Sequence, residues 1–200
     1  MRFIGNPDLK PERSRGLEAS VRYRRSAVNA ALTAHRQRLQ DETVDVFDTF
    51  PFTTRNRDEN SRRSGVEAEL GWAASDRLRL TANYAYLDAS EPSDGSLVRE
   101  LRRPKHSGSI AADGQLAKLS YGISIAYTGA RFDRREDFPF DRVRLGAYWL
   151  AGARLGYSVN DRFELFARTA NAFDERYQDV FGYRTEGRSV HAGIRLAPRR

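Results

Sequence analysis

The sequence contains no cysteine, so disulfides, thiolate metal sites, iron–sulfur clusters and cysteine nucleophiles are excluded. Its three histidines, His35, His106 and His191, are far apart and lack the spacing of metal ligands. Long apolar runs are also missing, and the mean hydropathy is -0.69. The longest uncharged stretch with an apolar centre, Leu119 to Ala130, is far shorter than the ~20 residues that a membrane helix needs. A bundle of transmembrane helices is therefore excluded.

Positive charge is only slightly in excess. The 200 residues hold 34 Lys and Arg against 27 Asp and Glu, a formal net charge of +7. Clusters such as Arg22-Tyr23-Arg24-Arg25 combine charge with aromatic residues, as nucleic-acid-binding barrels do. Acidic residues are interspersed throughout, which dilutes the charge instead of gathering it into one stripe. We therefore expect no nucleic-acid partner.

Catalytic and cofactor signatures are equally scarce. No base is placed against a serine nucleophile, and no glycine-rich loop leads from a strand into a helix. The acidic segment around Asp133, Glu136, Asp137 and Asp141 lacks the spacing of a calcium loop. We expect no enzyme, no metal site and no cofactor.

Period-two alternation of apolar and polar residues predicts β-strands along most of the chain. In the segment 66–72, the apolar residues Val66, Ala68, Leu70 and Trp72 alternate with Glu67, Glu69 and Gly71, which places the two sets on opposite sides of a strand. The same alternation occurs around residues 17–24, 28–35, 77–86, 106–116, 118–127, 147–158, 163–170 and 190–196. The sequence predicts an all-β protein with about nine strands.

Connections between these strands alternate between short and long. The short ones contain turn-forming residues and lie at 24–26, 74–76, 113–115 and 159–161. The long polar ones lie at 47–61, 89–104, 133–144 and 179–188. One rim of tight turns and one rim of large loops is typical of an antiparallel, up-and-down transmembrane β-barrel, in which lipid touches one side of each strand and the other side faces a wet interior. A soluble β-sandwich or barrel shows the same alternation, so a soluble β-rich binding module remains the alternative, and nucleic acid is one ligand that such a module could bind.

Two motifs carry a resemblance to a known family. The segment Asn6-Pro7-Asp8-Leu9-Lys10-Pro11-Glu12 resembles the NPxLKPE-type segment of TonB-dependent outer-membrane receptors, and Asn171-Ala172-Phe173-Asp174-Glu175-Arg176-Tyr177 resembles their NLFDxxY signature. Gly187-Arg188 resembles the start of their last strand. The positions that match the family motifs are Asn6, Pro7, Leu9, Lys10, Pro11, Glu12, Asn171, Phe173, Asp174, Tyr177, Gly187 and Arg188.

The resemblance implies a domain layout. Residues 1–13 correspond to an extracellular loop, 14–197 to the C-terminal part of the receptor barrel, and 198–200 to a tail. The family's plug domain and TonB-contacting box have no counterpart in the sequence, and we expect that this polypeptide alone is not a working transporter. Pro198 stands near the end of the last strand, where the family usually has a terminal aromatic residue.

The resemblance also implies a function. It implies a multi-pass barrel in the Gram-negative outer membrane that actively takes up a large, scarce solute, either cobalamin or a ferric siderophore. The implied partners are outer-membrane lipid, lipopolysaccharide and, through segments absent from this sequence, TonB. The motif style leans towards cobalamin, but the residues do not decide between the two solutes.

Aromatic residues in the long connections are the candidate ligand contacts. They lie where a solute arriving from outside meets the barrel first, although packing between loops is an equally simple role for them. The candidates are Phe50, Phe52, Phe138, Phe140, Phe181 and Tyr183. On the predicted strands, we expect Glu67 and Glu69 to face the interior and to pair with Arg77 and Arg79.

Overall fold

The structure, a computed structural model, describes residues 3–46, 50–93, 95–137 and 140–196. Its strands are β1 (Arg13–Arg25), β2 (Val28–Gln40), β3 (Thr43–Val46), β4 (Thr53–Asn56), β5 (Ser61–Ser75), β6 (Leu78–Ser93), β7 (Ser96–Arg99), β8 (His106–Leu116), β9 (Leu119–Thr128), β10 (Arg131–Arg134), β11 (Arg142–Leu145), β12 (Tyr148–Asn160), β13 (Phe163–Ala170) and β14 (Ser189–Leu196). The secondary structure of these residues is all-β, as the alternation predicts.

Nine long strands of the described chain form one sheet in the order β1-β2-β5-β6-β8-β9-β12-β13-β14. Each strand is antiparallel to its neighbours. Long strands that follow one another along the chain are neighbours in space, so the predicted up-and-down arrangement of about nine strands is confirmed.

The long connections are more ordered than the sequence indicates. β3 pairs with β4 and β10 pairs with β11 as separate two-stranded hairpins, while β7 folds back on the end of β6. These short strands were not expected, because four residues are too few for an alternation to predict a strand inside a polar connection.

The cross-strand register brings the apolar sets of neighbouring strands onto one side of the sheet, the apolar face. Val21 lies opposite Leu32, which lies opposite Ala68. The row continues through Tyr84, Gly108, Tyr127 and Trp149. A slip of one residue at any strand would send its apolar side chains to the other side, so the hydrophobic pattern explains why the apolar sets share one face.

The opposite side, the polar face, is held by side-chain hydrogen bonds and ion pairs between strands. The hydroxyls of Ser20 and Thr33 are 3.0 Å apart, and the Asn83 amide donates to Ser109 Oγ at 2.7 Å. Further along the sheet, Arg154 pairs with Asp113 at 2.7 Å and Arg195 pairs with Glu164 at 2.9 Å. The two faces therefore differ in chemistry across the whole sheet.

The apolar face is exposed. Leu17 is 79% exposed, Val21 73% and Tyr84 46%, and in the described chain only Ala89, Leu145 and Tyr148 are buried apolar residues. Within that part of the chain, the substantial contacts between strands all join hydrogen-bonded neighbours, and no second layer of strands covers the apolar face. A soluble sandwich would seal this row inside.

The sheet is open in the part of the chain that the structure describes. β1 pairs with β2 alone, β14 pairs with β13 alone, and the two edges do not meet. No helix in the described ranges is long and apolar enough to cross a bilayer.

Candidate functional site

Four long connections lie at one rim of the sheet, and tight turns lie at the other. We call them connection I (41–60), connection II (94–105), connection III (129–147) and connection IV (171–188). Polar contacts between residues distant in sequence tie them together, so the long rim is a structured surface.

Asp133 in β10 joins three of the connections. Its side chain is fully buried. Oδ1 accepts hydrogen bonds from Arg102 Nε and from the Arg134 N–H, each at 2.8 Å, and Oδ2 accepts one from the Phe181 N–H at 2.7 Å. Burial raises the pKa of the Asp133 carboxyl, but these donors outweigh burial and hold the pKa below its ordinary value. Asp133 therefore fixes connections II and IV against connection III.

Two further carboxylates extend this network. Glu91, near the end of β6, accepts from Arg57 of connection I at 3.0 Å and from Arg142 of connection III at 3.4 Å. Glu100 of connection II accepts hydrogen bonds from both Nε and Nη2 of Arg63, each at 2.8 Å.

Arg103 adds a second cation to Glu100, with 3.3 Å between Nε and Oε1. Burial raises the pKa of Glu100, while Arg63 and then Arg103 lower it, and the net pKa lies below its ordinary value. The contacts of the rim thus stabilise the ionised form of Glu100.

Arg131 connects connection III to connection IV. Its side chain is only 4% exposed. Nη2 donates to the Gln178 carbonyl at 2.7 Å and to Asp179 Oδ1 at 2.8 Å, and the Tyr148 hydroxyl donates to the same Asp179 oxygen at 2.6 Å. The guanidinium carbon lies 5.4 Å from the centre of the Tyr148 ring. One side of this buried cation meets an anion, a carbonyl and an aromatic face, whereas its Nη1 has no hydrogen-bond partner among the described residues.

The first family motif attaches the N-terminal segment to connection I. Asn6 Oδ1 accepts from the Asp8 N–H at 2.9 Å, while Asn6 Nδ2 donates to the Thr54 carbonyl at 2.9 Å. The Asn56 side chain accepts from the Lys10 N–H at 2.7 Å and donates to the Lys10 carbonyl at 2.9 Å.

Glu12 completes the attachment, since its Oε1 accepts from the Thr43 N–H at 2.7 Å where β3 begins. Pro7 and Pro11 restrict the backbone on either side of Leu9 and Lys10. The matched positions of this motif thus dock the segment before β1 onto the β3–β4 hairpin.

Asn171 of the second motif folds connection IV at its start. Its φ is +47°, in the left-handed region that asparagine tolerates better than most residues. Its side chain accepts from the Glu175 N–H at 2.8 Å and donates to the Glu175 carbonyl at 2.9 Å and to the Glu186 carbonyl at 3.4 Å. Phe173 projects outward and is 79% exposed.

The rest of this motif closes connection IV on itself. Asp174 Oδ1 accepts from the Arg188 N–H at 2.9 Å, and a Cβ at Gly187 would lie 2.9 Å from the same oxygen, so a larger residue there would require this carboxylate to shift. The Tyr177 ring packs on Tyr148 with 4.3 Å between ring centres. The described contacts of both motifs are therefore structural.

The candidate aromatic contacts fall into two groups. Phe50 and Phe52 pack edge to face in connection I, with ring centres 6.1 Å apart, and Phe50 is 75% exposed. Phe140, Phe181 and Tyr183 belong to connections III and IV.

In that second group, the Arg134 guanidinium lies 5.5 Å from the Phe140 ring, and the Arg135 guanidinium lies 5.5 Å from the Phe181 ring. Tyr183 is 58% exposed. Phe138 lies outside the described residues. The role of these aromatics in ligand binding stays a prediction.

A pocket of about 810 Å³ opens between connections III and IV. Three arginines line it, Arg144, Arg176 and Arg184, together with two acids, Asp174 and Glu175. Within the described chain, none of the three arginines has a carboxylate oxygen within 4.0 Å. The pocket is therefore a positively charged surface with cations available to an external anion.

The pocket also contains Phe181, one of the predicted aromatics, and the paired rings of Tyr148 and Tyr177. The three arginines were not singled out from the sequence. They are separated along the chain, and only the folding of connection IV against connection III brings them to one pocket.

One expectation for the polar face is wrong. Glu67 lies opposite Thr33 and Ala85, and Glu69 lies opposite Ala31 and Asn83, so neither meets Arg77 or Arg79. The register places Arg79 opposite Asp113 instead. Among the described residues, no group of three or more His, Asp or Glu side chains is arranged to hold a metal ion.

Comparison with known proteins agrees with the resemblance. The family model described as TonB dependent receptor-like, beta-barrel matches residues 1–173. The ferric-catecholate import receptor Fiu from E. coli K12 superimposes with a TM-score of 0.79 at 19% identity, over 96% of this chain and 28% of that one. The siderophore receptor PirA from Acinetobacter baumannii superimposes with a TM-score of 0.79 at 19% identity, over 97% of this chain and 33% of that one. The FrpB iron transporter from Neisseria meningitidis superimposes with a TM-score of 0.77 at 12% identity, over 97% of this chain and 32% of that one.

The chain thus spans about a third or less of the length of these solved structures. At such identities the structural likeness shows a shared fold, and the family match covers most of the chain. The motifs, the two-faced up-and-down sheet and the family match lead to one conclusion: the chain belongs to the TonB-dependent receptor family, as part of its β-barrel.

Proposed function

We propose that this chain forms part of the wall and the outer mouth of an outer-membrane transport barrel that takes up a ferric siderophore. The observation that carries the proposal is the single sheet with an exposed apolar face on one side and ion pairs on the other. An exposed apolar face of this extent is costly in water and is stable against lipid. A polar face is stable against a water-filled interior.

The proposed placement follows from the two rims. The long connections face the outside of the cell and the tight turns face the periplasm, as in outer-membrane barrels generally. Residues 1–13 then correspond to an extracellular segment and residues 14–197 to barrel wall with its loops, while the tail predicted at 198–200 lies outside the described residues. Contact with TonB is assigned to parts of the receptor outside this chain.

The proposed solute class rests on the arginine-lined pocket. Siderophores hold Fe(III) with oxygen anions, and many of the complexes carry net negative charge. Arg144, Arg176 and Arg184 offer such a complex cations that are not already paired within the described chain. The neighbouring rings of Tyr148 and Phe181 suit an aromatic chelator. Cobalamin, whose phosphodiester charge is balanced within the molecule, gains less from this charge.

The test uses the full-length receptor in outer membranes of cells starved of iron. Replacing Arg144, Arg176 and Arg184 together with glutamine should weaken binding of a radiolabelled ferric catecholate by about tenfold or more, because the attraction of the anion is lost. Uptake should fall in parallel.

The matched control replaces three arginines at the opposite rim with glutamine: Arg25, Arg77 and Arg162. This variant should bind and transport the complex as the unmodified receptor does. Absence of the receptor from the outer-membrane fraction would refute the membrane assignment. Unchanged binding in the Arg144/Arg176/Arg184 variant, or uptake of cobalamin in place of the ferric complex, would refute the proposed solute.

A further inference from the structure

A row of charged side chains crosses the polar face of the sheet. The register places one residue from each of six neighbouring strands, β6, β8, β9, β12, β13 and β14, in line. We call this line the charged row, and its members are Arg79, Asp113, Gly122, Arg154, Arg168 and His191. At a strand spacing of about 4.8 Å, the row is about 24 Å long. It holds three arginines against a single aspartate.

The neighbouring rows within these strands are uncharged. On the side of the long rim, the residues in line are Thr81, Ala111, Ser124 and Gly152, and further along Ala170 lies opposite Ser189. On the side of the tight turns, the residues in line are Gln115, Ser120, Gly156, Phe166 and Gly193. The charged row is therefore a band one residue wide between neutral rows.

The row runs obliquely from one rim to the other, because the strands are staggered. Arg79 lies next to Leu78, where β6 begins after a tight turn, whereas Arg154 lies six positions before Asn160, where β12 ends at a tight turn. At about 3.3 Å per residue, the row is about 16 Å further from the tight turns at β12 than at β6. His191 comes two residues after Ser189, where β14 begins beyond connection IV. One end of the row thus lies close to the connection that carries the arginine-lined pocket.

One of the three arginines is neutralised within the row. Arg154 Nη2 donates to Asp113 Oδ1 at 2.7 Å, across the intervening strand β9. Gly122 of β9 leaves room for this contact, since a Cβ there would lie 2.5 Å from Arg154 Nε. The Arg154 side chain therefore extends towards β8 and away from Arg168 of β13.

The other two arginines carry uncompensated charge. Within the part of the chain that the structure describes, neither Arg79 nor Arg168 has a carboxylate oxygen within 4.0 Å. A pocket of about 660 Å³ opens over the row, and Arg154, Arg168 and His191 line it. An anion that enters this pocket meets the free guanidinium of Arg168, while Arg79 offers a second cation at the far end of the row.

Separated cations in a row suit the passage of an anion better than its capture. A tight binding site gathers its donors around one point, whereas a path needs several weak points that a ligand can reach and leave again. We propose that the charged row is a transit site, on which Arg168 and then Arg79 bind the anionic iron complex after it leaves the arginine-lined pocket. The inference rests on the proposed function for the charge of the solute and for the position of the polar face in the barrel interior.

The test compares binding with transport in iron-starved cells that carry the full-length receptor. Binding of a radiolabelled ferric catecholate is measured on energy-depleted cells, and the initial rate of uptake per receptor is measured on energised cells at a saturating concentration of the complex. The double variant Arg79→Gln/Arg168→Gln should bind the complex as the unmodified receptor does. Its uptake rate should fall by about tenfold or more, because a surface of one charge sign raises the local concentration of an anion by at least this factor.

Two further double variants separate charge from structure. Arg79→Lys/Arg168→Lys keeps both positive charges and should keep the uptake rate within about twofold of the unmodified rate. Arg22→Gln/Arg24→Gln is the matched control. It removes two arginines from the polar face of β1, outside the row, and uptake should be normal.

Unchanged uptake in the glutamine variant of the row would overturn the proposal, as would an equal loss in the lysine variant or in the β1 control. A parallel loss of binding and uptake would also overturn it, because the row would then act in capture. If the unmodified receptor bound no ferric catecholate, the proposed function would be refuted and this inference with it. Normal binding with normal uptake in the glutamine variant would refute the transit site alone.

Discussion

Replacing Asp133 with asparagine should loosen the outer rim without unfolding the sheet. The carboxylate receives three donors, from Arg102, Arg134 and Phe181, inside a fully buried site. Asparagine keeps the shape but offers one acceptor oxygen and one NH2 group. In either orientation of the amide, at least one of the three donors then faces another donor.

The expected cost follows from these contacts. A hydrogen bond to a charged group contributes about 1.5–3 kcal/mol, and a buried donor without a partner costs about 1–3 kcal/mol. The Arg102 side chain is 51% exposed, so water recovers part of its loss. We expect connection IV to be destabilised locally by about 2–4 kcal/mol, which corresponds to about 30- to 1,000-fold faster amide exchange.

Hydrogen exchange of the full-length receptor in detergent measures this effect. In Asp133→Asn, the amides around Phe181 should exchange faster, whereas those in the middle of β8 and β9 should be unchanged. Asp137→Asn is the matched control, because Asp137 lies in the same connection, pairs with Arg135 at 3.2 Å and is 69% exposed. Normal exchange around Phe181 in Asp133→Asn, or equal acceleration in the control, would refute the role given to Asp133.

Two more predictions follow from the same geometry. The folded-state pKa values of Asp133 and Glu100 lie below their unfolded values, so their contribution to stability is complete above about pH 4–5 and is lost as the pH falls through the folded pKa. Exchange in connection IV, corrected for the intrinsic rate, should therefore accelerate below about pH 4, and a flat profile would contradict this. Leu70→Arg places a charge on the apolar face at a cost of about 2–4 kcal/mol, whereas Glu69→Arg places it on the polar face. Leu70→Arg should reduce the amount of heat-modifiable barrel in outer membranes, and Glu69→Arg should leave that amount unchanged. An equal loss of barrel in both variants would contradict the assignment of the faces.

The hydrophobic pattern explains why so much of the sheet is readable from the chain. The alternation at Val66, Ala68, Leu70 and Trp72 assigns each residue to a face, and every neighbouring strand repeats the alternation. A slip of one residue would reverse the faces, so the local pattern settles the side of the sheet on which each residue lies. A slip of two residues keeps the faces, which is why the pairing expected for Glu67 and Glu69 was wrong. The alternation of short and long connections then orders the strands.

The contacts between the connections at the long rim could not be predicted from the hydrophobic pattern. Asp133 was recognised only as part of an acidic segment, yet it is the buried partner of residues 31 and 48 positions away. The three arginines of the pocket belong to two different connections, and no spacing in the sequence groups them. Contacts of this kind depend on how the connections fold back on one another, and no periodicity encodes that.

The sequence by itself therefore determined the class, the number and order of the long strands and the side of the sheet on which each of their residues lies, because side chains alternate between the two faces of a strand and each face has one chemical environment. Only the tertiary structure decided which charges meet at the rim. The buried site at Asp133 exists because three connections converge on it. It depends on contacts between residues far apart in the chain, which only the folded backbone defines.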